Sequence, residues 1–225
     1  WMAILIRHGD YHQLDGTPSA HQPFALNIKG KQQAIDCVDR IRNLLDENQW
    51  HLSPVIHSSN LLRAWQTASI IRQGLPEITH LQGYDELAER GLGSAANLTV
   101  AQIEKVLKDD PRFDDPPSDW KSNSRYCLPL QGAESLIDAG KRVAGHIKKT
   151  LSSEDKLEQD TAQIFVGHGA AMRHAAYHLG VLNFDEIKKF SMYHATPLVI
   201  TVENGLWRHV AGHWKGRRQN SRELD

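Results

Sequence analysis

The residues best suited to chemistry in this 225-residue chain fall in three short, widely separated stretches. Arg7-His8-Gly9 follows the apolar run "MAILI" directly, "HSSNLLR" ends at Arg63, and Gly167-His168-Gly169 follows "TAQIFV". Two guanidiniums and two imidazoles brought to one place make an anion site, because the planar fork of arginine matches phosphate oxygens. Gly9 and Gly169 would let backbone approach the ligand. Binding alone, however, does not call for two histidines. An imidazole can attack phosphorus without a metal, and neighbouring cations favour its neutral form, which keeps a lone pair free. A backbone carbonyl accepting the other ring N–H of His8 would set the tautomer. The leaving oxygen needs a proton, and "YDELAERGLG" (84–93) offers Asp85, Glu86 and Glu89. Any of the three could act as general acid and then as base toward water, and spacing does not choose among them.

Those stretches meet only if strands deliver them to one rim. Residues 2–6 read as a buried strand, 10–25 as a loop, and 27–48 as a helix capped by Asn27, with Ala34, Val38, Ile41, Leu44 and Leu45 on one face. Further strands are read at 54–59, 78–84 and 161–169, and helices at 61–75, 99–109 (capped by Thr99), 133–151 and 170–180. Residues 110–131 hold four prolines and read as one long loop. Residues 197–212 read as a hairpin about Asn204-Gly205, and 216–225 as a flexible tail. Strands alternating with helices predict a three-layer α/β/α domain with a mostly parallel central sheet, spanning 1–225 as a single unit. In such sheets ligands bind outside the carboxyl ends of the strands. The helix starting near Ala170 would turn its N-terminal N–H groups toward the anion.

Composition narrows the function classes. Apolar residues make up 40% and charged residues 24%, with a net charge of −1. No bulk basic field calls for nucleic acid, and the basic stretch "WKGRRQNSR" reads as a solvated tail. No apolar run reaches the length of about 18 residues that a membrane helix needs. With no leader pattern at the start and two isolated cysteines, Cys37 and Cys127, a cytoplasmic location with reduced thiols is expected. His174 and His178 stand four apart on a helix, without a third ligand, and read as packing rather than as a metal site. Trp120 reads either as packing or as part of a substrate entrance. No metal or cofactor is expected.

Five blocks, in order along the chain, resemble the histidine phosphatase superfamily, also called phosphoglycerate-mutase-like. They are "LIRHG", "LNIKGKQQA", "HSSNLLRAWQTA", "ELAERGLG" and "VGHGAAMR". The resemblance implies that His8 is the nucleophile that becomes phosphohistidine. It places Arg7, Arg63 and His168 in the phosphate pocket, with Gly9 and Gly169 beside them. It makes Glu89, which directly precedes Arg90, the proton donor. The family contains mutases and phosphatases. Where cofactor-dependent mutases carry an asparagine, a tyrosine and a lysine, Leu14, Leu92 and Val100 stand here; Arg112 stands alone in place of an arginine pair, and Ala170 follows Gly169. The resemblance therefore favours a metal-independent phosphomonoester hydrolase over a phosphoglycerate mutase, although "ESLIDAGKRV" is mutase-like. The segments "RHGDYHQLDG", "VIHSS" and "DPPSDW" resemble a branch containing a protein serine/threonine phosphatase. The expected partner is thus a phosphorylated small molecule or a phosphoprotein, a phosphate-binding adaptor being the reading without turnover, and a homodimer is an expectation from the family.

Overall fold

The computed structural model describes residues 1–18, 21–152 and 160–217. Its elements are β1 (Met2–Arg7), α1 (Ile28–Asn48), β2 (His51–Leu52), β3 (Val55–Ser59), α2 (Leu62–Gly74), β4 (His80–Tyr84), α3 (Val100–Asp109) and α4 (Leu136–Ser152). They continue as β5 (Thr161–Gly167), α5 (Gly169–His178), α6 (Phe184–Ile187), β6 (Phe190–Ser191), β7 (Leu198–Glu203), β8 (Leu206–Ala211) and β9 (Lys215–Gly216). The main sheet runs β4-β3-β5-β1-β7-β8, with β2 also on β5. β1, β3, β4 and β5 are parallel, while β7 and β8 run antiparallel at one side. None of the helices among the described residues is long and apolar enough to cross a membrane.

The sheet is covered on both faces because β1 is apolar on both. Met2, Ile4 and Ile6 pack with Cys37, Ile41 and Leu45 of α1 and with Ala64, Ala68 and Ile71 of α2. Ala3 and Leu5 pack with Ala139, Val143 and Ile147 of α4 and with Ala171 and Ala175 of α5. Each aliphatic side chain buried this fully contributes roughly 1.5–3 kcal/mol over leaving it exposed. The expected three layers are present, and the long proline-rich segment has no helix or strand. It is not a loose cover, though. Trp120 is 1% exposed, packs with Leu92, Ile103, Leu107 and Leu128, and donates Nε1–H to Glu104 Oε1 at 3.1 Å. The packing reading of Trp120 holds, and the substrate-entrance reading does not. Of the expected tail at 216–225, residues 216 and 217 are held in place. Gly216 pairs with Phe190, and Arg217 N–H donates to Lys189 O. Residues 218–225 lie outside the described residues.

Strand register does the positioning. β3, β5 and β1 are adjacent and parallel, with Arg7 opposite Gly167 and Ser58 opposite Val166. Their carboxyl ends therefore bring His8, His168 and Ser59 to a single rim, and β4, opposite Ser59 at Tyr84, adds the acidic loop. The start of α1 is pressed against the turn after β1. A Cβ on Gly30 would lie 1.8 Å from Asp10 O, and one on Gly9 would lie 2.5 Å from Gly30 O. Only glycines allow that approach.

Behind the rim, His57 Nδ1 and His146 Nε2 share a hydrogen bond at 3.0 Å. Burial pushes His57 down to about 4, helped by His146, and lowers His146. His174, bonded to Ser124 Oγ and Ala170 O, is pushed down to about 3, chiefly by burial. These rings are neutral when folded and take up protons when unfolded, so the stability tied to them is complete above an ordinary histidine pKa of about 6.5 and lost on acidification toward 4 and then 3. Thermal unfolding followed by circular dichroism should show a melting temperature that declines from pH 7 to pH 4. A midpoint that stays constant over that range contradicts this account.

Candidate active site

His8 leaves the end of β1 with its N–H on Gly167 O at 3.0 Å. It is 2% exposed. Arg63, the second residue of α2 and fully buried, donates Nε–H to His8 Nε2 at 3.2 Å. Guanidinium nitrogens only donate, so His8 Nε2 is the acceptor and its ring proton sits on Nδ1. That Nδ1–H meets Gly9 O at 2.6 Å. The backbone carbonyl expected to set the tautomer is therefore the one that follows immediately in the chain. Burial, followed by Arg63, His168, Arg7 and His194, holds the His8 ring well below the usual histidine value. The expectation credited the neutral ring to cations, whereas desolvation comes first. The result is an uncharged imidazole whose Nε2 lone pair faces an arginine.

His168 lies with its ring 5.2 Å from that of His8 and is fully buried. Burial first, then Arg63, keeps it well below the ordinary value and therefore neutral. Its Nε2 is 2.9 Å from Ser59 Oγ, which also accepts Leu61 N–H at 3.2 Å. Among the described residues the Ser59 hydroxyl hydrogen has no acceptor other than His168 Nε2, which leaves the proton of His168 on Nδ1. That Nδ1 has no hydrogen-bond partner among the described residues. An unsatisfied buried donor costs about 1–3 kcal/mol, and an oxyanion beside it would relieve the cost.

The arginines are held from outside the cluster. Arg63 donates Nη1–H to Gln22 O at 3.0 Å and lies 4.5 Å over the Tyr11 ring. Burial lowers its guanidinium pKa, and Tyr11 and Glu89 pull it back up. Arg7 donates Nη1–H to Met192 O at 2.9 Å. Gly169 gives Arg7 its space, since a Cβ there would come within 3.1 Å of Arg7 Cδ. Gly9 has a supporting part as well. Its N–H is taken by Thr67 Oγ1 at 3.0 Å and its carbonyl by His8, so what it contributes is the support of the ring.

Of the three candidate carboxyl groups, Asp85 and Glu86 are exposed, and Asp85 is tied to Asn60. Glu89 alone is buried, at 4% exposure. Its Oε1 accepts Arg90 N–H and Ala171 N–H, both at 3.0 Å. The first turn of α5 thus spends this N–H on the carboxylate, where it had been expected to face the anion. Sequence reading missed Arg142 of α4. Its guanidinium donates to the carbonyls of Glu86, Ala88 and Glu89 and pairs with Glu134, so it fastens the whole acidic loop. The only trace of it was its place in "ESLIDAGKRV". His194 was missed too, and neither a strand end nor a motif marks it.

The arrangement supplies a neutral imidazole with its Nε2 lone pair on an arginine, two guanidiniums, an imidazole N–H without a partner among the described residues and one fixed carboxyl group. Among the described residues no group of three or more His, Cys, Asp or Glu side chains could hold a metal ion. His174 and His178 are used in packing, the latter through Nε2 to Ile137 O at 2.8 Å.

A family model described as the histidine phosphatase superfamily (branch 1) matches residues 3–214. Among solved structures, a mycobacterial glucosyl-3-phosphoglycerate phosphatase complexed with VO3 is 23% identical. It has a TM-score of 0.70, with 93% of this chain and 96% of that one covered. A putative alpha-ribazole-5'-P phosphatase from Escherichia coli is 20% identical with a TM-score of 0.67, covering 92% of this chain and 93% of that one. An alpha-ribazole phosphatase from Shigella flexneri is 20% identical with the same TM-score and coverage. These likenesses establish a shared fold. No curated protein matches.

The neutral state of His8 can be read directly. A nitrogen-detected NMR titration should find its ring uncharged, with the proton on Nδ1, well below pH 6.5. A ring that titrates near an ordinary histidine value of about 6.5 contradicts the assignment.

Proposed function

Because the chain belongs to the histidine phosphatase superfamily (branch 1), we propose that it is a metal-independent phosphomonoester hydrolase working through a phosphohistidine. The observation that carries this reading is the buried, uncharged His8 with its Nε2 lone pair turned to Arg63. In the first step Nε2 attacks phosphorus, the P–O bond to the alcohol breaks, and Glu89 gives its proton to the departing oxygen. In the second, Glu89 takes a proton from water, the resulting hydroxide attacks phosphorus, and the P–N bond breaks to release phosphate. Arg7, Arg63 and His168 Nδ1–H hold the equatorial oxygens throughout, where charge accumulates. Phosphate transfer leans on positioning and electrostatics more than on covalent chemistry, which suits a site already assembled before substrate arrives.

Several observations support hydrolysis over mutase action. Leu92 is buried in the packing around Trp120, and Val100 is the first residue of α3. Arg112 is exposed and ion-paired with Asp110 in its own turn, so it does not reach toward a substrate carboxylate. The mutase-like stretch has a different use here, because Glu134 and Arg142 fasten the loop that carries Glu89. Ala88 and Gly91, on either side of Glu89, line a cavity of about 510 Å³ together with His21, Asn60 and Arg142. It is a fitting place for the organic part of a small phosphorylated molecule, within the roughly 300–1,000 Å³ range of ligand pockets.

His8→Ala should abolish p-nitrophenyl phosphate hydrolysis in the presence of chelator, and retained turnover in that variant sinks the phosphohistidine route. Glu89→Gln should slow an alkyl phosphate by roughly a hundredfold or more, in line with the usual contribution of general acid catalysis. It should slow the phenolic ester much less, because a phenolate leaves without a proton. Equal losses on both esters would remove Glu89 from the acid role.

A further inference from the structure

The peptide unit joining His8 to Gly9 is gripped at both polar ends. Its N–H, belonging to Gly9, donates to Thr67 Oγ1 at 3.0 Å. Its carbonyl, belonging to His8, accepts His194 Nδ1–H at 2.8 Å. Rotation of this unit changes ψ of His8 and φ of Gly9 together. These two torsions also place the Gly9 carbonyl relative to the His8 ring, so a change in one that the other does not offset shifts the acceptor that meets His8 Nδ1–H at 2.6 Å. The close approach of Gly30 forbids any side chain at residue 9. A glycine there leaves the neighbouring peptide free to turn, since Gly enters both halves of φ space. The most mobile residue type thus stands beside the group that must aim most accurately, and outside contacts have to supply the rigidity.

His194 is built to supply it. The residue after it, Ala195, is fully buried at φ 45°, a left-handed conformation that strains a non-glycine residue and persists only where surroundings enforce it. Ala195 N–H donates to Arg7 O at 2.8 Å. Thr196 Oγ1 donates to His194 O at 3.0 Å, and Arg40 Nη1–H donates to that Oγ1 at 2.7 Å. Met192 O accepts Arg7 Nη1–H. Residues 192–196 therefore wrap the Arg7-His8 dipeptide, with the His194 ring 5.6 Å from that of His8. Burial, then Arg7, pushes His194 down to about 4, so near neutrality it adds no charge beside the nucleophile.

We propose that His194 is a positioning residue for the nucleophile: by holding the His8 carbonyl it stops the 8–9 peptide from turning and so keeps the His8 proton on Nδ1 and Nε2 aimed. This rests on His8 being the attacking group. A ring released from the Gly9 carbonyl can carry its proton on Nε2 instead, and that tautomer has no lone pair on Nε2 with which to attack.

The test uses the whole chain with His194→Phe, which keeps a ring and removes the donor, and His194→Asn, which keeps a donor. His194→Phe should lower kcat for p-nitrophenyl phosphate by about tenfold to a hundredfold, with KM little changed, as expected for a misplaced reacting group. His194→Asn should recover most of that loss. Nitrogen NMR should show a mixture of His8 tautomers in His194→Phe and Nδ1–H alone in the parent, a readout independent of turnover. If His194→Phe does not fold, His194→Ala serves in the same measurements. Unchanged tautomers overturn the proposal, as does a His194→Asn variant as slow as His194→Phe. Failure of the nucleophile assignment would appear separately, as turnover surviving in His8→Ala.

Discussion

The site depends on keeping one imidazole uncharged in a place full of positive charge. Water is excluded from His8, and two arginines and two further histidines lie around it. Desolvation and like charge act in the same direction on a histidine, since both disfavour the imidazolium. The same features that would bind a dianion therefore also prepare the group that would attack it. An exposed histidine near one arginine would be protonated for part of its time at neutral pH and would have a less defined tautomer. Here the tautomer follows from partners of a single kind on each nitrogen, a donor-only guanidinium on Nε2 and an acceptor-only carbonyl on Nδ1.

That requirement explains much of the surrounding construction. Burying Arg63 removes its water, and a backbone carbonyl and the face of Tyr11 replace it. Burying His168 leaves one nitrogen on Ser59 and the other without a partner among the described residues, which would be tolerable were an anion to bind there. Glu89 is brought inside the same field, yet it is held by backbone N–H groups and not by an arginine. A direct ion pair with Arg63 would have tied the charge of the carboxyl group to that of the guanidinium. The acidic loop also has little regular structure of its own, and Arg142 replaces that regularity by collecting its carbonyls.

The parts of the site that were legible in the sequence are those carried on regular elements. β1 is a short continuous apolar run, and β3 and β5 carry apolar runs bounded by turn residues, so the residues at their ends could be recognised as rim residues before any register was known. Arg7, His8, Arg63 and His168 were found in that way. Glu89 needed the family resemblance, because a loop carboxylate beside two others has no local signature. Arg142 and His194 were not found, and the reason differs for each. Arg142 sits on the amphipathic helix α4, where an arginine is the ordinary choice for a polar face. His194 acts through the backbone of a residue nearly two hundred positions away in the chain, and no spacing rule links the two. Trp120 shows the reverse case, in which a proline-rich stretch that resembles an open loop hides a small core of its own.

By itself the amino-acid sequence determined that the chain alternates buried strands with amphipathic helices, and that two histidines and two arginines follow strand ends. Those are consequences of local hydrophobic periodicity and of residue type, which act over a few positions. Only the tertiary structure decided that Glu89, singled out by the resemblance and not by spacing, is the buried one of the three carboxyl groups, which nitrogen of each histidine carries the proton, and what stiffens the glycine beside His8. Those outcomes depend on desolvation and on hydrogen bonds between residues far apart in the chain, and both quantities exist only once the strands are in register.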